Sequence, residues 1–271
     1  MSTQSPKGTW IPQEVPLDKP SPARMYDYYL GGHHNFEVDR QAAEQVLKIM
    51  PEVKLMAQAN RAFLIQAVKC LAEEEGVDQF LDIGSGIPTK GNVHEVAQGV
   101  NPEARVVYVD IDPIAVAHSR AILEGNPNAI CIQADARDPE QIVSHPEVRE
   151  LLDFSRPVAL LLVALLHFII DDEEAYGIVR RFGKVLAPGS FLVISHFTYE
   201  GWPEDVLNRI IALYKRSTAP GKARSYAEIQ RFFEGWELVD PGLVPVNQWR
   251  PLQRFDYGDM PAVYAGVARK P

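Results

Sequence analysis

Three short apolar segments, each ending in an acidic or glycine-rich sequence, constrain the fold of this chain more than any other feature. They are residues 80–86 (FLDIGSG), 106–110 (VVYVD) and 132–136 (IQADA). Patterns typical of amphipathic helices separate them, and repeated strand–helix units form parallel sheets. Since parallel strands end at the same edge of a sheet, we expect the acidic residues of these segments to lie close together at that edge.

The hydrophobic periodicity extends this alternation over most of the chain. It predicts strands near residues 79–83, 105–110, 129–133, 157–163 and 191–195. It predicts helices over residues 52–75, 89–98, 113–124 and 171–186, with one or two more between the third strand and residue 153. Asp112 and Asp171 precede two of these helices as candidate N-caps. The sequence therefore predicts an α/β fold whose mostly parallel sheet has helices on both faces.

The C-terminal part departs from this alternation. Helices are predicted over residues 203–216 and 225–234, followed by strands near 236–240 and 262–268. The segment between these two strands, residues 241–261, is rich in proline and glycine and has no helical pattern. Strands joined without a helical crossover are usually antiparallel, so we expect the sheet to end in an antiparallel pair.

Composition narrows the class of protein and its partners. The 27 basic and 36 acidic residues give a formal net charge of −9, which disfavours binding to long nucleic acids. Cys70 and Cys131 provide no disulfide framework, and the longest apolar run, residues 158–170, is too short to span a membrane. The first 22 residues contain five prolines and no signal-peptide core, so we predict an extended arm there. We expect a soluble, cytoplasmic protein.

Gly84, Gly86, Asp110 and Asp135 predict a nucleoside-binding site at the sheet edge. Glycine lets a ligand approach the turn after the first strand, because no Cβ is in the way. The sequence separation between that turn and Asp110 suits a carboxylate that accepts hydrogen bonds from both ribose hydroxyls. Asp135 is placed to accept from an adenine amine, and the Ala136 amide to reach a ring nitrogen. Asp110 alone is also explained as a turn residue and Asp112 as a helix cap, but Asp110, Asp135 and the Gly84 turn together favour a binding site.

These residues resemble the motifs of class I S-adenosylmethionine-dependent methyltransferases. The glycine-rich turn of that family is similar to residues 82–86 (DIGSG), its ribose-binding acid to Asp110 and its adenine-binding acid to Asp135. The chain resembles more closely an S-adenosyl methyltransferase family found mostly in actinobacteria, which has no assigned substrate. That resemblance is carried by residues 22–32 (PARMYDYYLGG), Asn35 and Phe36, 241–245 (PGLVP) and 249–251 (WRP).

The resemblance implies a fold, a cofactor and a division of the chain. The fold is a Rossmann-like class I methyltransferase sheet, mostly parallel, with seven strands of which the last is antiparallel, and with an N-terminal helical lid. We expect residues 1–21 to form the arm, 22–76 the lid and 77–271 the catalytic domain. The cofactor is S-adenosylmethionine, with S-adenosylhomocysteine as its product. The predicted cofactor-binding residues are Arg24, Tyr28, Asp82, Gly84, Ser85, Gly86, Asp110, Ile111, Asp112, Asp135, Ala136 and Ala164.

Residues 22–36 have two interpretations that the sequence does not separate. Four aromatic residues, Arg24, Asp27 and a Gly31-Gly32 joint are typical of a segment that closes over a bound cofactor and meets its polar ends. The same composition is typical of an N-terminal helix that packs its tyrosines on the core.

His167 and His196 are the candidate catalytic residues, since they follow the fourth and fifth strands, where open α/β sheets bind ligands. Either imidazole can take a proton near neutral pH, although each is also typical of a hydrogen-bonded structural histidine. Methyl transfer needs no conspicuous base, because positioning and the exclusion of water supply much of its rate. His33-His34 lacks further ligands at metal-binding spacing, so no metal site is predicted.

Residues 197–225 are predicted to cover the acceptor pocket. Their aromatic residues are either a wall of that pocket or ordinary core packing, and their basic residues either meet an acidic acceptor or face water. These residues are Tyr199, Trp202, Tyr214, Lys215, Arg216, Lys222 and Arg224.

The sequence thus predicts a methyltransferase that acts on a small-molecule acceptor, and two alternatives stay open. A nicotinamide-dependent oxidoreductase shares the glycine-rich turn, but Thr89 stands where its third glycine would be. A non-catalytic protein that binds S-adenosylmethionine for regulation would keep the whole cofactor site. No nucleic acid or membrane partner is expected, and the sequence predicts no oligomeric state.

Overall fold

A computed structural model of the chain describes residues 18–88, 91–251, 253, 255 and 262–271. Most of the predicted arm, residues 1–17, lies outside the described residues, as do residues 89 and 90 at the predicted start of a helix. The helices are α1 (Pro22–Tyr29), α2 (Glu37–Ile49), α3 (Val53–Glu73), α4 (Val93–Val100), α5 (Pro113–Ile122), α6 (Pro139–Ser144), α7 (Pro146–Leu151), α8 (Asp172–Val185), α9 (Glu204–Tyr214) and α10 (Tyr226–Gln230). The strands are β1 (Gln79–Ile83), β2 (Arg105–Asp110), β3 (Ala129–Gln133), β4 (Ala159–Val163), β5 (Phe191–Phe197), β6 (Glu237–Leu238), β7 (Val244–Pro245) and β8 (Val263–Arg269).

The strands form one sheet in the order β3-β2-β1-β4-β5-β8-β6, with the short β7 also paired to β8. The pairs from β3 to β5 are parallel, and β8 is antiparallel to β5, β6 and β7. The predicted mostly parallel sheet with an antiparallel last strand is confirmed. Seven strands lie in the main order and β7 is an eighth that the sequence did not predict.

Alternation along β1 explains how the sheet is covered on both faces. Leu81 and Ile83 point into a core that includes Phe182 of α8. Phe80, which precedes Leu81 and points to the other face, packs into the opposite core with Phe63 of α3. All three β1 side chains are fully buried, and burial of each contributes about 1.5–3 kcal/mol. A strand buried on both faces has no solvent side. Strand β4 is accordingly apolar throughout, whereas β1 also buries the polar residues Gln79 and Asp82.

Helices α1, α2 and α9, here called the helical cap, lie over the carboxyl ends of the strands. Met25, Tyr29, Val46 and Ile210 from these helices share a buried apolar cluster, which Met56 of α3 joins. The predicted lid, residues 22–76, therefore divides: α1 and α2 belong to the cap, whereas α3 buries a long face against the sheet. Helix α9, from the predicted catalytic domain, completes the cap.

Strand β5 is longer than predicted and continues to Phe197. Its antiparallel partner β8 extends the ladder to the pair of Phe197 with Val263. His196 therefore lies inside the strand, opposite Tyr264, instead of beyond its end. The placement of His196 after strand five is thus wrong, because a partner from a distant part of the chain determines where the strand ends.

Two capping predictions are confirmed. The Asp112 carboxylate accepts a hydrogen bond from the Ile114 amide at the start of α5, and Asp171 accepts from the Glu174 amide at the start of α8. Among the described residues, no helix combines the length and the apolar character needed to cross a membrane.

Candidate functional site

The carboxyl ends of β1 to β4 and the helical cap enclose a cavity of about 1090 Å³. This exceeds the range of about 300–1,000 Å³ typical of a pocket for one drug-sized ligand. Eleven of the twelve predicted cofactor-binding residues line it, and Tyr28 is the exception. The structure therefore brings the residues of the predicted nucleoside site together at one place.

The turn after β1 forms a backbone cradle in this cavity. Gly84 and Gly86 have φ angles of 69° and 66°, which side chains rarely adopt. A Cβ on Gly84 would lie 2.6 Å from Leu165 Cδ1, whereas one on Gly86 would meet no atom within 4 Å. The Ser85 hydroxyl between them is buried without a hydrogen-bond partner. The turn thus leaves open space beside Gly86 and one buried hydroxyl without a partner.

The carboxylate of Asp110, at the end of β2, is hydrogen-bonded to this turn. Its Oδ2 accepts from the Gly86 amide at 2.7 Å, and its Oδ1 accepts from the Asp112 amide at 2.8 Å. Burial raises the pKa of Asp110 to about 6, against the opposing effect of those two amides. A carboxylate has room for about four hydrogen bonds, so both oxygens can still accept from a ribose.

Asp82 adds a second buried carboxyl group to the same wall. Burial raises its pKa to about 7, the positive charge of Arg61 lowers it, and the neighbouring Asp110 raises it. Buried carboxylates are costly without a cation or donor nearby. A ligand that carries a positive charge and hydroxyl groups fits this pair of acids.

Asp135 lies at the cavity as predicted, but its carboxylate is already paired. Arg137 Nη2 donates to Asp135 Oδ2 at 2.6 Å, and Nε contacts both oxygens. The hydrogen bond from Arg137 holds the pKa of Asp135 below its usual range. Ala136 lines the cavity beside it.

Asp112 connects the cofactor wall to the cap. One oxygen caps α5, and Oδ2 accepts from Ser21 Oγ at 2.7 Å and lies 3.4 Å from an Arg24 nitrogen. Arg24 Nε also donates to Asp39 Oδ2 at 2.8 Å, and both side chains are almost fully buried. Arg24 therefore lines the cavity with its guanidinium engaged by protein groups, so it joins α1 and α2 to α5.

Helix α1 corresponds to the packed N-terminal helix, the second of the two interpretations. Tyr29 is buried in the cap, whereas Tyr28 faces outward and donates to Glu44 at 2.5 Å. Tyr28 does not line the cavity, which leaves its predicted cofactor contact without support in this arrangement. Asp27 is likewise internal, accepting from the His34 amide and from Asn35. A Cβ on Gly32 would overlap that carboxylate, so Gly32 serves close packing, whereas Gly31 has a φ of 80° and open space around it.

The turn after β4 has an unusual backbone. Ala164 has a φ of 55°, which is uncommon outside glycine and concentrates at functional sites. Its amide donates to Ser195 Oγ at 2.9 Å and lies 3.1 Å from the Ser195 carbonyl oxygen. Ser195 Oγ donates to Asn60 Oδ1, and Asn60 Nδ2 donates to the Tyr26 hydroxyl at 2.9 Å. A chain of hydrogen bonds thus runs from α1 to the strained residue.

His167 and His196 occupy different environments. His167 lies in a 3-10 turn after β4, lines the cavity, and accepts a long 3.5 Å contact at Nδ1 from the Phe197 amide. Burial, reinforced by the positive charge of Arg224, lowers its pKa to about 3. The imidazole is therefore neutral at physiological pH but is a weak base.

His196 is fully buried and does not line the cavity. Its Nδ1 is 2.7 Å from the Phe197 carbonyl oxygen and its Nε2 is 2.9 Å from an Arg224 nitrogen. A carbonyl accepts and a guanidinium donates, so this is a neutral ring with both nitrogens in use. Burial lowers its pKa well below the usual value. The geometry matches the structural histidine and not a group that reaches a substrate.

The outcome for residues 197–225 is mixed. Tyr214 and Lys222 line the cavity, whereas Tyr199, Trp202, Lys215, Arg216 and Arg224 do not. Arg224 is buried and donates to the carbonyl oxygens of Leu166 and Ile169, which fixes the turn that carries His167.

Several cavity residues were not predicted from the sequence, among them the polar residues Tyr26, Tyr29, Asn60 and Arg61. One signal was available, because Asn60 is a polar residue on the apolar stripe of α3 between Met56 and Phe63. Among the residues that the structure describes, no three His, Cys, Asp or Glu side chains come together as metal ligands would.

Comparison with known proteins identifies the family of this chain. The family model of S-adenosyl methyltransferases matches residues 8–271. A proposed methyltransferase from Thermobifida fusca YX, known from a crystal structure, is 42% identical in sequence to this chain. The match covers 97% of this chain and 99% of the Thermobifida chain, with a TM-score of 0.90. A DUF574 family protein from Streptomyces avermitilis shares 42% identity over 94% and 99% of the two chains, with a TM-score of 0.89.

More distant proteins show the fold alone. Human N-acetylserotonin methyltransferase, solved with S-adenosylmethionine, is 15% identical over 90% of this chain and 62% of its own, with a TM-score of 0.50. No curated protein matches this chain. The family match over nearly the whole sequence, joined to the glycine turn and the buried acids, shows that the chain belongs to the S-adenosyl methyltransferase family and uses S-adenosylmethionine as its cofactor.

Proposed function

We propose that the protein transfers the methyl group of S-adenosylmethionine to a small-molecule acceptor bound in the same cavity. The observation that carries this proposal is the continuity of the cavity from the Asp110 wall to the helical cap. The nucleoside residues line one part of that space, and residues of the cap such as Tyr29, Val46 and Ile210 line another. A cavity of this size suits a small molecule bound beside the cofactor.

The residues at the cofactor half fit the group in detail. Asp110 would accept from the ribose hydroxyls, and the Gly84–Gly86 backbone would lie against the amino acid part of the cofactor. Asp82 faces the same space, and a carboxylate there favours a ligand with positive charge. Asp135 would accept from the adenine amine, which requires sharing its oxygens with Arg137.

When bound, the sulfonium supplies an activated methyl group that moves to a nucleophilic atom of the acceptor. The chain contributes positioning and the exclusion of water, which the apolar cap favours. His167 lies in the 3-10 turn after β4 and lines the cavity. Because its ring is neutral and Nδ1 accepts from the Phe197 amide, Nε2 carries the proton and can donate a hydrogen bond to the acceptor, which orients it. We therefore retain His167, and not His196, as the candidate catalytic residue.

Calorimetric titration with S-adenosylhomocysteine and NAD tests the cofactor half of the proposal. We expect S-adenosylhomocysteine to bind in the micromolar range or tighter, with no measurable heat from NAD. Tight NAD binding without S-adenosylhomocysteine binding would support the oxidoreductase alternative instead.

Transfer of a labelled methyl group to a small-molecule fraction of a cell extract tests the catalytic half. Asp110→Ala protein in the same extract is the matched control. Label in a compound of low molecular mass, absent with the control, supports the proposal. Cofactor binding with no transfer to any fraction would favour the regulatory binding protein, and label in protein or nucleic acid would refute a small-molecule acceptor.

We infer a cytoplasmic location as part of this proposal. Cys70 and Cys131 are both buried free thiols, as is usual in a reducing compartment. Fractionation of cells that express the tagged chain, followed by immunoblotting, tests this inference.

A further inference from the structure

Arg61 is a basic residue of the cavity that belongs to none of the sequence motifs. Ala57, Asn60 and Leu64 line the cavity together with it. Their spacing of three and four residues places all four on one face of α3. Arg61 is half-buried, and α3 packs a long apolar face against the sheet. The position of Arg61 in the cavity is therefore fixed by the packing of its helix.

The guanidinium of Arg61 contacts the segment that follows β1. Its Nη2 donates to Asn92 Oδ1 at 3.0 Å, and Asn92 is the residue before α4. The Gly84–Gly86 turn begins the same segment. A guanidinium has five N–H donors in a fork, so it can hold this amide and a ligand carboxylate at the same time.

Asp82 gives the same part of the cavity a negative charge. Burial raises the pKa of Asp82 to about 7, and the positive charge of Arg61 opposes this rise. Both side chains line the cavity, and their charges are close enough to interact. A cation and an acid on one wall fit the end of a ligand that carries charges of both signs.

The amino acid part of S-adenosylmethionine carries both signs on one carbon atom. At neutral pH its α-carboxylate is ionised and its α-amino group is protonated. The turn after β1 has room for this part, because a Cβ on Gly86 would meet no atom within 4 Å. Each charge then needs a partner of opposite sign to offset its loss of hydration.

The other basic residues among the described lining of the cavity are Arg24, Arg137 and Lys222. They lie beside other elements of the fold. Arg24 pairs with the acid before α5, Arg137 with the acid after β3 and Lys222 with the first residue of α8. Arg61 is thus the basic residue placed for a carboxylate beside the turn after β1.

We propose that Arg61 binds the α-carboxylate of S-adenosylmethionine while Asp82 binds its α-ammonium group. This proposal rests on the proposed function, because it places the amino acid part of the cofactor against the Gly84–Gly86 turn. Arginine binds carboxylates through two parallel charged hydrogen bonds. Arg61 therefore distinguishes the cofactor from adenosine derivatives that lack a carboxylate.

The test uses S-adenosylhomocysteine and its decarboxylated analogue, S-adenosyl-3-thiopropylamine, which differ only in the carboxylate. Titration calorimetry of the full chain at pH 7.5 gives the dissociation constant of each. We expect the wild type to bind S-adenosylhomocysteine at least about tenfold more tightly than the analogue, since only the former has the group that Arg61 binds.

Variants of the two charged residues connect this preference to the structure. Arg61→Gln should weaken S-adenosylhomocysteine binding by about 10- to 100-fold and analogue binding by less than about threefold. Arg61→Lys keeps the charge but not the fork, so it should retain part of the preference. Asp82→Asn should weaken both ligands by a similar factor, because both carry the ammonium group.

Arg156→Gln is the matched control. Arg156 does not line the cavity and pairs at the surface with Asp78, so both affinities should be unchanged. Circular dichroism verifies that each variant is folded.

Two results would overturn the proposal. They are a wild type that binds the analogue as tightly as S-adenosylhomocysteine, and an Arg61→Gln variant that keeps the full preference. If Arg61→Gln does not fold, full preference in Arg61→Lys has the same meaning. When the wild type binds S-adenosylhomocysteine in these cases, the proposed function stands and only the role of Arg61 falls. If S-adenosylhomocysteine itself does not bind, both fall.

Discussion

The hydroxyl of Ser195 donates a 2.5 Å hydrogen bond to the side-chain oxygen of Asn60, and this bond joins the sheet to α3 beneath the cap. The same hydroxyl accepts from the amide of Ala164, the residue with φ of 55°. Asn60 in turn donates to Tyr26 of α1. The conformation of the turn after β4 is thus coupled to the cap through a buried polar network.

Removing either member of the pair should destabilise the protein cooperatively. Asn60→Ala and Ser195→Ala are each expected to lower the free energy of unfolding by about 1–3 kcal/mol, since each leaves a buried partner unsatisfied. In the double variant the effects should fall short of additivity by about 0.5–2 kcal/mol. Urea denaturation measures all four proteins. The control is Ser155→Ala, which removes a surface hydroxyl bonded to Asp153. Its effect on the free energy of unfolding should be additive with that of Asn60→Ala. Full additivity of the Asn60 and Ser195 variants would contradict the coupling.

Asp82→Asn should stabilise the free protein and weaken cofactor binding. The folded-state pKa of Asp82, about 7, lies above the ordinary value of 3.8, so the folded state holds this proton more tightly than the unfolded chain. Stability from this group is therefore present below pH 4 and is lost as the pH rises to about 7. At pH 7.5 the free energy of unfolding of the variant should be about 1–3 kcal/mol higher than that of the wild type. Near pH 4 this difference should vanish. A variant that is no more stable at pH 7.5 would argue against a costly buried charge.

Asp110→Ala should weaken binding of S-adenosylhomocysteine by about 1–3 kcal/mol, because charged hydrogen bonds to the ribose are lost. Titration calorimetry gives the dissociation constants. Asp205→Ala removes an exposed acid at the start of α9 and should leave the affinity unchanged. Equal affinities for Asp110→Ala and the wild type would remove Asp110 from the ribose site.

Cofactor affinity should fall in acid. The pKa of Asp110 is raised to about 6, and only its ionised form accepts two ribose hydroxyls. Binding of S-adenosylmethionine should therefore be about tenfold weaker at pH 5 than at pH 7.5, with protons released on binding near pH 6. Calorimetry in two buffers of different ionisation enthalpy counts those protons. Asp110→Asn should flatten this part of the pH profile, and an unchanged profile in that variant would assign the proton to another group.

Arg24→Leu should be strongly destabilising because it leaves Asp39, which is fully buried, without its cationic partner. Breaking a buried ion pair from one side costs about 3–5 kcal/mol. We also expect weaker binding of S-adenosylhomocysteine, since Asp112 loses a partner that holds it at the cofactor wall. The control is Arg180→Leu, which breaks an exposed pair with Glu173 and should cost at most about 1 kcal/mol. Similar losses in both variants would contradict the structural role of Arg24.

The parts of the fold that were predictable are those determined by local sequence. Apolar runs that end at Asp82 and Asp110 gave β1 and β2 within a residue of their observed limits. The caps at Asp112 and Asp171 depend only on a side chain and the amides that follow it in sequence. Parallel topology then brings the strand ends together, so the cofactor wall followed from short-range patterns and one general rule.

The predictions failed where contacts between residues far apart in sequence determine the structure. The choice of Tyr28 over Tyr29 depends on the rotation of the short helix α1, and Arg24 sets that rotation through Asp39 and Asp112. His196 was misplaced because β8, far along the chain, extends β5 past it. The Asp135–Arg137 pair is local, but whether two nearby charges join or face water is not encoded in their spacing. The part of the cavity that α2, α3 and α9 line has no short sequence motif.

The cap also has a consequence for how the protein is made. Tyr29 of α1 and Tyr214 of α9 end up side by side, yet the ribosome produces them far apart in time. At about 5–20 residues per second, α9 follows α1 by roughly 10 to 40 seconds. During that interval the apolar faces of α1 and α2 have no α9 to cover them. The nascent chain therefore presents a binding surface for chaperones that the finished protein conceals.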